Sequence, residues 1–202
     1  YAHGFEAIAS KNEVASTEKN ENFSIDNKIN TYAYAYISKW NSLNDATFLA
    51  ELLQNNIVPR FSEKPFTLNG NNFERGSLII LRNDNRNKSF DETLIKIADK
   101  NFRQLTTVST GFVDKGLDFG SYSVKPINKQ KVAVLSGEGT SSLSFGEVWH
   151  FFETELKYPL TILDSDYISR VDFSNFDVII LPNGYYSRVL NKSTLDKLKS
   201  WV

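Results

Sequence analysis

Three short apolar runs in the last third of the chain, Lys131-Val-Ala-Val-Leu-Ser136, Leu160-Thr-Ile-Leu163 and Asp177-Val-Ile-Ile-Leu181, constrain the fold more than any other feature. Continuous apolar runs of this length read as strands buried on both faces, the habit of parallel sheets covered by helices. Between the first two runs, Phe145, Val148, Trp149, Phe152 and Leu156 recur at helical spacing, and Ser144 with Glu147 has the register of a capping box. Pro159 closes the turn after that helix, and Pro182-Asn-Gly-Tyr185 ends the third run. Parallel strands with helical crossovers begin a doubly wound sheet, so an α/β unit is expected over residues 131–202, closed by a helix over 193–202.

The preceding stretch reads as a second, smaller α/β unit over residues 31–125. Tyr32, Tyr34 and Tyr36 alternate with Ala33 and Ala35 before Ile37, the period of a strand. Ser42, Asn44 and Asp45 offer caps to a helix carrying Ala46, Leu49, Ala50 and Leu53, which Asn55-Asn56 ends. Residues 57–61 and 77–81 read as strands, the latter fed by the turn Phe73-Glu-Arg-Gly76. A second helix is expected from Ser89, with Glu92 in capping-box register and Leu94, Ile95, Ala98 and Phe102 on one face. Residues 105–109 return as a strand, so the order strand, helix, strand, strand, helix, strand describes a layer with crossovers. Lys125-Pro-Ile-Asn-Lys-Gln130 reads as the link between the units.

Composition narrows the function classes. The 23 Lys and Arg nearly cancel the 24 Asp and Glu, which leaves no electrostatic footprint for nucleic acid or an anionic membrane. With 0 Cys, disulfides, thiolate zinc sites and Cys nucleophiles are excluded. With 0 Met and Tyr as the first residue, the chain is expected to be a piece of a longer polypeptide; no signal peptide or 18-residue apolar span is legible in it.

Candidate chemistry is sparse. His3-Gly-Phe-Glu6 has the His-x-x-Glu spacing of a zinc carboxypeptidase, but the third ligand would have to be His150, inside an aromatic helix. We therefore assign no catalytic residue and no metal ligand. Asp164 and Asp166 read as a solvated turn, and the spacing of Tyr32, Tyr34, Tyr36, Trp149, Phe151 and Phe152 argues for packing rather than a ligand platform. The loop Gly137, Glu138, Gly139, Thr140, Ser141, Ser142 follows a strand and precedes a helix, so free N–H groups there can cradle an anion. It lacks the phosphate-loop lysine and the third glycine of the dinucleotide fingerprint. Together with Asn183, Gly184 and Tyr185 it lies at strand carboxyl ends, where open α/β sheets hold ligands; these nine residues are the candidate binding set.

Several segments carry a family resemblance: Tyr1-Ala-His-Gly-Phe-Glu-Ala7, Phe73-Glu-Arg-Gly-Ser-Leu-Ile-Ile80, Gly116-Leu-Asp-Phe-Gly-Ser121, Tyr158-Pro-Leu-Thr161 and, most specifically, Gly146-Glu-Val-Trp-His150 within residues 137–152. The chain resembles, over nearly its whole length, the C-terminal region of large secreted zinc carboxypeptidases of the carboxypeptidase A superfamily, of the kind found in Bacteroidetes. In that family a metallopeptidase domain precedes a domain similar to class I glutamine amidotransferases. The resemblance implies that residues 1–30 are a linker after an absent peptidase domain and that residues 131–202 are the first half of the amidotransferase-like domain. It further implies that the zinc ligands belong to the upstream domain, so His3 and Glu6 inherit no role, and that the amidotransferase Cys would lie beyond Val202. The expectation is a non-catalytic accessory region, periplasmic or secreted, with no cofactor of its own and zinc in the parent. Its partner would be the peptidase domain of the same polypeptide, with neither nucleic-acid binding nor membrane insertion. The alternative is a small-molecule or peptide binding module at the strand ends.

Overall fold

A computed structural model describes residues 25–202 of the chain. His3, Glu6 and most of the expected linker over residues 1–30 lie outside the described residues. The fold is α/β: among the described residues a five-stranded antiparallel sheet, a two-stranded antiparallel hairpin and a three-stranded parallel sheet stand among helices.

The first unit comprises β1 (Ala35–Ser38), α1 (Leu43–Gln54), β2 (Arg60–Ser62), β3 (Phe66–Leu68), β4 (Asn71–Phe73), β5 (Leu78–Leu81), α2 (Phe90–Lys100), β6 (Thr106–Val108) and β7 (Val124–Pro126). Its main sheet has the order β6-β1-β5-β2-β7, and every neighbouring pair is antiparallel. α1 carries the chain from β1 to β2, which run the same way on either side of β5; α2 carries it from β5 to β6 around β1. The expected crossovers are therefore present, each straddling a strand of opposite direction, which is the split βαβ arrangement. Tyr36, Leu78 and Ile80 point to the helices, where Phe48, Leu52 and Leu94 bury against them. Ala35, Ile37, Ile79 and Leu81 face the other way, under Phe66, Leu68, Phe73 and Phe119. Both faces are covered, which is why residues 78–81 are an unbroken apolar run.

The hairpin β3–β4 and strand β7 have no counterpart in the sequence reading. Asn69 (φ 51°) and Gly70 (φ 73°) turn the hairpin, and Asn-Gly with both φ positive is the favoured two-residue hairpin turn. α1 is capped more tightly than the pattern implies. The buried Asp45 carboxylate accepts the backbone N–H of Asn41 (2.7 Å) and Ser42 (2.6 Å) and pairs with Arg103 (2.7 Å). At α2 the expected capping box is absent: Ser89 makes no side-chain cap bond, and its hydroxyl pairs with Asn87 instead.

The second unit comprises β8 (Val132–Ser136), α3 (Ser142–His150) continued by a π-helical turn (Phe151–Leu156), β9 (Leu160–Asp164), β10 (Val178–Ile180) and α4 (Lys192–Trp201). The strands are parallel in the order β10-β8-β9, with Val132 opposite both Leu160 and Val178. Only β8 is buried along Val132–Leu135. Two details correct the expectation. α3 starts earlier than Ser144, because the Ser141 hydroxyl caps it by accepting the Ser144 N–H (3.4 Å). The crossover from β9 to β10 has no α-helix but two 3-10 segments, Ser165–Arg170 and Phe173–Asn175, opened by Asp164 and Asp172 carboxylates that accept N–H groups two residues on.

The units meet through α1. Ala50 and Leu53 on its outer side bury against Val132 and Tyr158. The Tyr158 hydroxyl accepts the Gln130 N–H (2.9 Å) and donates to the Gln130 carbonyl (2.8 Å), fastening the link to the second unit. Among the described residues no helix is long and apolar enough to cross a membrane.

Candidate functional site

The order β10-β8-β9 fixes where a ligand would sit. The chain leaves β8 toward β9 on one side and returns to β10 on the other, so the direction of winding reverses between β8 and β10. In open parallel sheets the crevice at that reversal, at the strand carboxyl ends, is where ligands bind. The structure brings the two predicted segments together there: residues 137–142 leave β8 and residues 183–185 follow β10.

They meet by closing the crevice. The Tyr185 N–H donates to the Gly139 carbonyl (2.7 Å), the Ser141 N–H donates to the Asn183 carbonyl (2.8 Å), and Thr140 forms an antiparallel bridge with Gly184. The glycines permit the approach. A Cβ on Gly184 would stand 2.2 Å from the Gly139 carbonyl oxygen, and one on Gly139 (φ +82°) would stand 2.8 Å from that of Tyr185. Side chains of any size would force the loops apart, so the two glycines are explained by loop-to-loop contact. Glu138, Ser142, Asn183 and Tyr185 are exposed around this seam.

One buried feature was missed by the sequence reading. Ser165, just after β9, is 4% exposed, and its hydroxyl has no hydrogen-bond partner among the described residues; nor has the buried Thr140 hydroxyl. Ser165 Oγ lies 2.6 Å from where a Cβ on Gly137 (φ +97°) would stand, and Asp164 Oδ1 lies 3.2 Å from the same point. The end of β9 thus joins the Gly137 loop, a proximity that strand order supplies and local sequence does not. Among the described residues neither hydroxyl has a base as a hydrogen-bond partner. Asp164 stands against the loop and Glu138 lies on it, so an anion at the α3 N-terminus would have carboxylates close by.

The other sequence candidates fall apart spatially. His150 is exposed at the end of α3, and the described residues include no group of three His, Cys, Asp or Glu able to hold a metal. Asp164 accepts the Asp166 N–H (2.9 Å), so these two carboxylates belong to a turn, as expected. The aromatics divide: Tyr36 is fully buried, Phe152 lies partly buried between the units, and Tyr32, Tyr34, Trp149 and Phe151 are exposed, against the expectation of packing.

A cluster of charged and phenolic groups lies in the first unit. Asp91 accepts from Tyr36 (2.6 Å) and from both terminal nitrogens of Arg82 (2.8 and 2.7 Å). Burial pushes the Asp91 carboxyl up, but the bonds from Arg82 and Tyr36 outweigh it and hold it below the usual carboxylate range. Burial, and then the Asp91 bond, push the Tyr36 phenol above its ordinary value. This cluster ties β1, the turn that follows β5, and α2 together. Compared with protein-family models, curated proteins and solved structures, the chain matches none.

Proposed function

We propose that this chain is a non-catalytic accessory region of a periplasmic or secreted zinc metallocarboxypeptidase, packing against or regulating the peptidase domain of the same polypeptide. The observation that supports it is the closed seam between residues 139–141 and 183–185, set beside large apolar side chains left exposed on the same unit. Leu143 (79%), Trp149 (43%) and Leu181 (43%) stand in water although the ligand crevice is shut by main-chain bonds. A unit with a filled crevice and uncovered apolar surface is suited to contact with another folded body. The amidotransferase-like reading of residues 131–202 draws support from the parallel β10-β8-β9 order. Zinc and the hydrolytic chemistry would reside in the upstream domain.

Expression of the natural polypeptide with and without residues 25–202 tests this. Removal should lower the melting temperature or alter the regulation of the peptidase part while zinc-dependent cleavage survives in the remainder. Zinc-dependent release of carboxy-terminal residues by the isolated 202-residue chain would overturn the proposal. A second reading, a small-molecule or peptide binding module at the strand ends, is favoured by the orphan hydroxyls of Ser165 and Thr140. It requires the seam to open, and saturable thermal stabilisation by a small ligand would select it.

A further inference from the structure

An open groove lies on the first unit, away from the seam, and its lining has a consistent chemistry. It encloses about 580 Å³ and is bordered by Tyr32, Tyr34, Asn83, Arg86, Asn87 and Lys88. We propose that this groove binds an acidic peptide segment, a role that goes beyond packing against a peptidase domain.

The groove is positively charged among the described residues. No acidic side chain borders the groove among the described residues. The carboxylates nearest in sequence are already engaged: Asp84 pairs with Arg60 (2.7 Å), and Asp91 pairs with Arg82 (2.7 Å). Arg82 also borders the groove, but Asp91 takes up its charge. Arg86 and Lys88 are exposed and enter none of the ion pairs among the described residues. Two cations without an ion-pair partner among the described residues therefore stand beside two tyrosine rings, Tyr32 at 92% and Tyr34 at 43% exposure.

Hydrogen-bonding capacity then narrows the ligand. Arg86 donates Nε and Nη2 to the carbonyl and the side-chain oxygen of Asn83 (3.2 and 2.5 Å), so neutral groups aim the guanidinium while its charge stays unspent. The Asn87 side-chain oxygen already accepts from the Ser89 N–H and hydroxyl (3.2 Å each). With both amide oxygens occupied, Asn83 and Asn87 offer their NH₂ groups, alongside Arg86 and Lys88. These four side chains present donors, so the ligand must bring acceptors. Carboxylates supply acceptors and charge together, whereas a neutral sugar brings hydroxyls that also seek acceptors. The aliphatic stems of Glu residues fit against Tyr32 and Tyr34.

The test is fluorescence anisotropy at low salt with the 202-residue chain, a labelled octapeptide rich in Glu, its Gln counterpart and polygalacturonate as an anionic glycan. The Glu peptide should bind saturably and about tenfold more tightly than the Gln peptide, with affinity falling as salt rises. Lys88→Glu should weaken binding by about tenfold and Arg86→Gln by about threefold. Both variants should keep the parent circular dichroism and melting temperature, since neither side chain holds the core. Tyr32→Ala, at a fully solvated position, should cost about threefold. Equal binding of the Gln peptide, binding untouched by Lys88→Glu and Arg86→Gln, saturable binding of the glycan alone, or no saturation by about 1 mM peptide would each overturn the proposal.

Discussion

Tyr36, Asp91 and Arg82 show how single side chains set the conditions under which the first unit is stable. Asp91 has its carboxyl held down in the fold, so the stability it contributes is present above its unfolded value, near 3.8, and is lost as pH falls through the lower folded value. Tyr36 has its phenol pushed up, so its contribution is complete below the unfolded value of 10.0 and disappears as pH rises through the folded one. Chemical denaturation across pH should therefore show a plateau with an acid limb and an alkaline limb. Tyr36→Phe should shrink the alkaline limb to the part that the buried Tyr158 phenol, also pushed up, supplies, and lower stability at pH 7 by about 2 kcal/mol, since a buried bond to a charged acceptor is lost. At the seam, Gly184→Ala places a methyl 2.2 Å from the Gly139 carbonyl oxygen. The loops must part, at about 1–3 kcal/mol, and the amides of Ser141 and Tyr185 should lose protection from hydrogen exchange.

At the scale of elements, α1 is the member on which most depends, because it serves both units. Its N-terminus hangs on Asp45, so Asp45→Ala should remove the cap and strand Arg103, lowering stability by about 3 kcal/mol in urea titrations. The elements legible from sequence are those whose signal is local and periodic: α1 and α2, with apolar residues at helical spacing, and β5 and β8, whose apolar runs are buried on both faces. Tyr32 and Tyr34 extended the alternation one step too far, since alternation marks a strand but not which of its residues a neighbour will cover. β7 is a short edge strand containing Pro126 and carries no such signal. Asn69-Gly70 does carry one for the hairpin, in a segment with no long apolar run beside it. The start of α3 was displaced because two serines, Ser141 and Ser144, both suit a cap, and only the extended backbone of Ser141 (φ −65°, ψ 121°) decides between them. The Gly137 loop was legible as a strand-end loop, but its partners were not. Gly139 touches Tyr185 and Gly137 faces Ser165 only because β10 and β9 flank β8.

For the whole molecule, the two units share an apolar contact in which Ala50 and Leu53 meet Val132 and Tyr158. A charge there should uncouple them: Ala50→Lys should turn one unfolding transition into two, followed by near- and far-ultraviolet circular dichroism. On the proposed function, the crevice of the parallel sheet is occupied by its own loops and the molecule acts through its surfaces. The most direct test is a ¹H–¹⁵N correlation spectrum of the chain, titrated with nucleotides, amino acids, sugars and phosphate. The amides of residues 137–142 and 183–185 should keep their positions and their exchange protection throughout, whereas saturable shifts confined to those residues would contradict the claim.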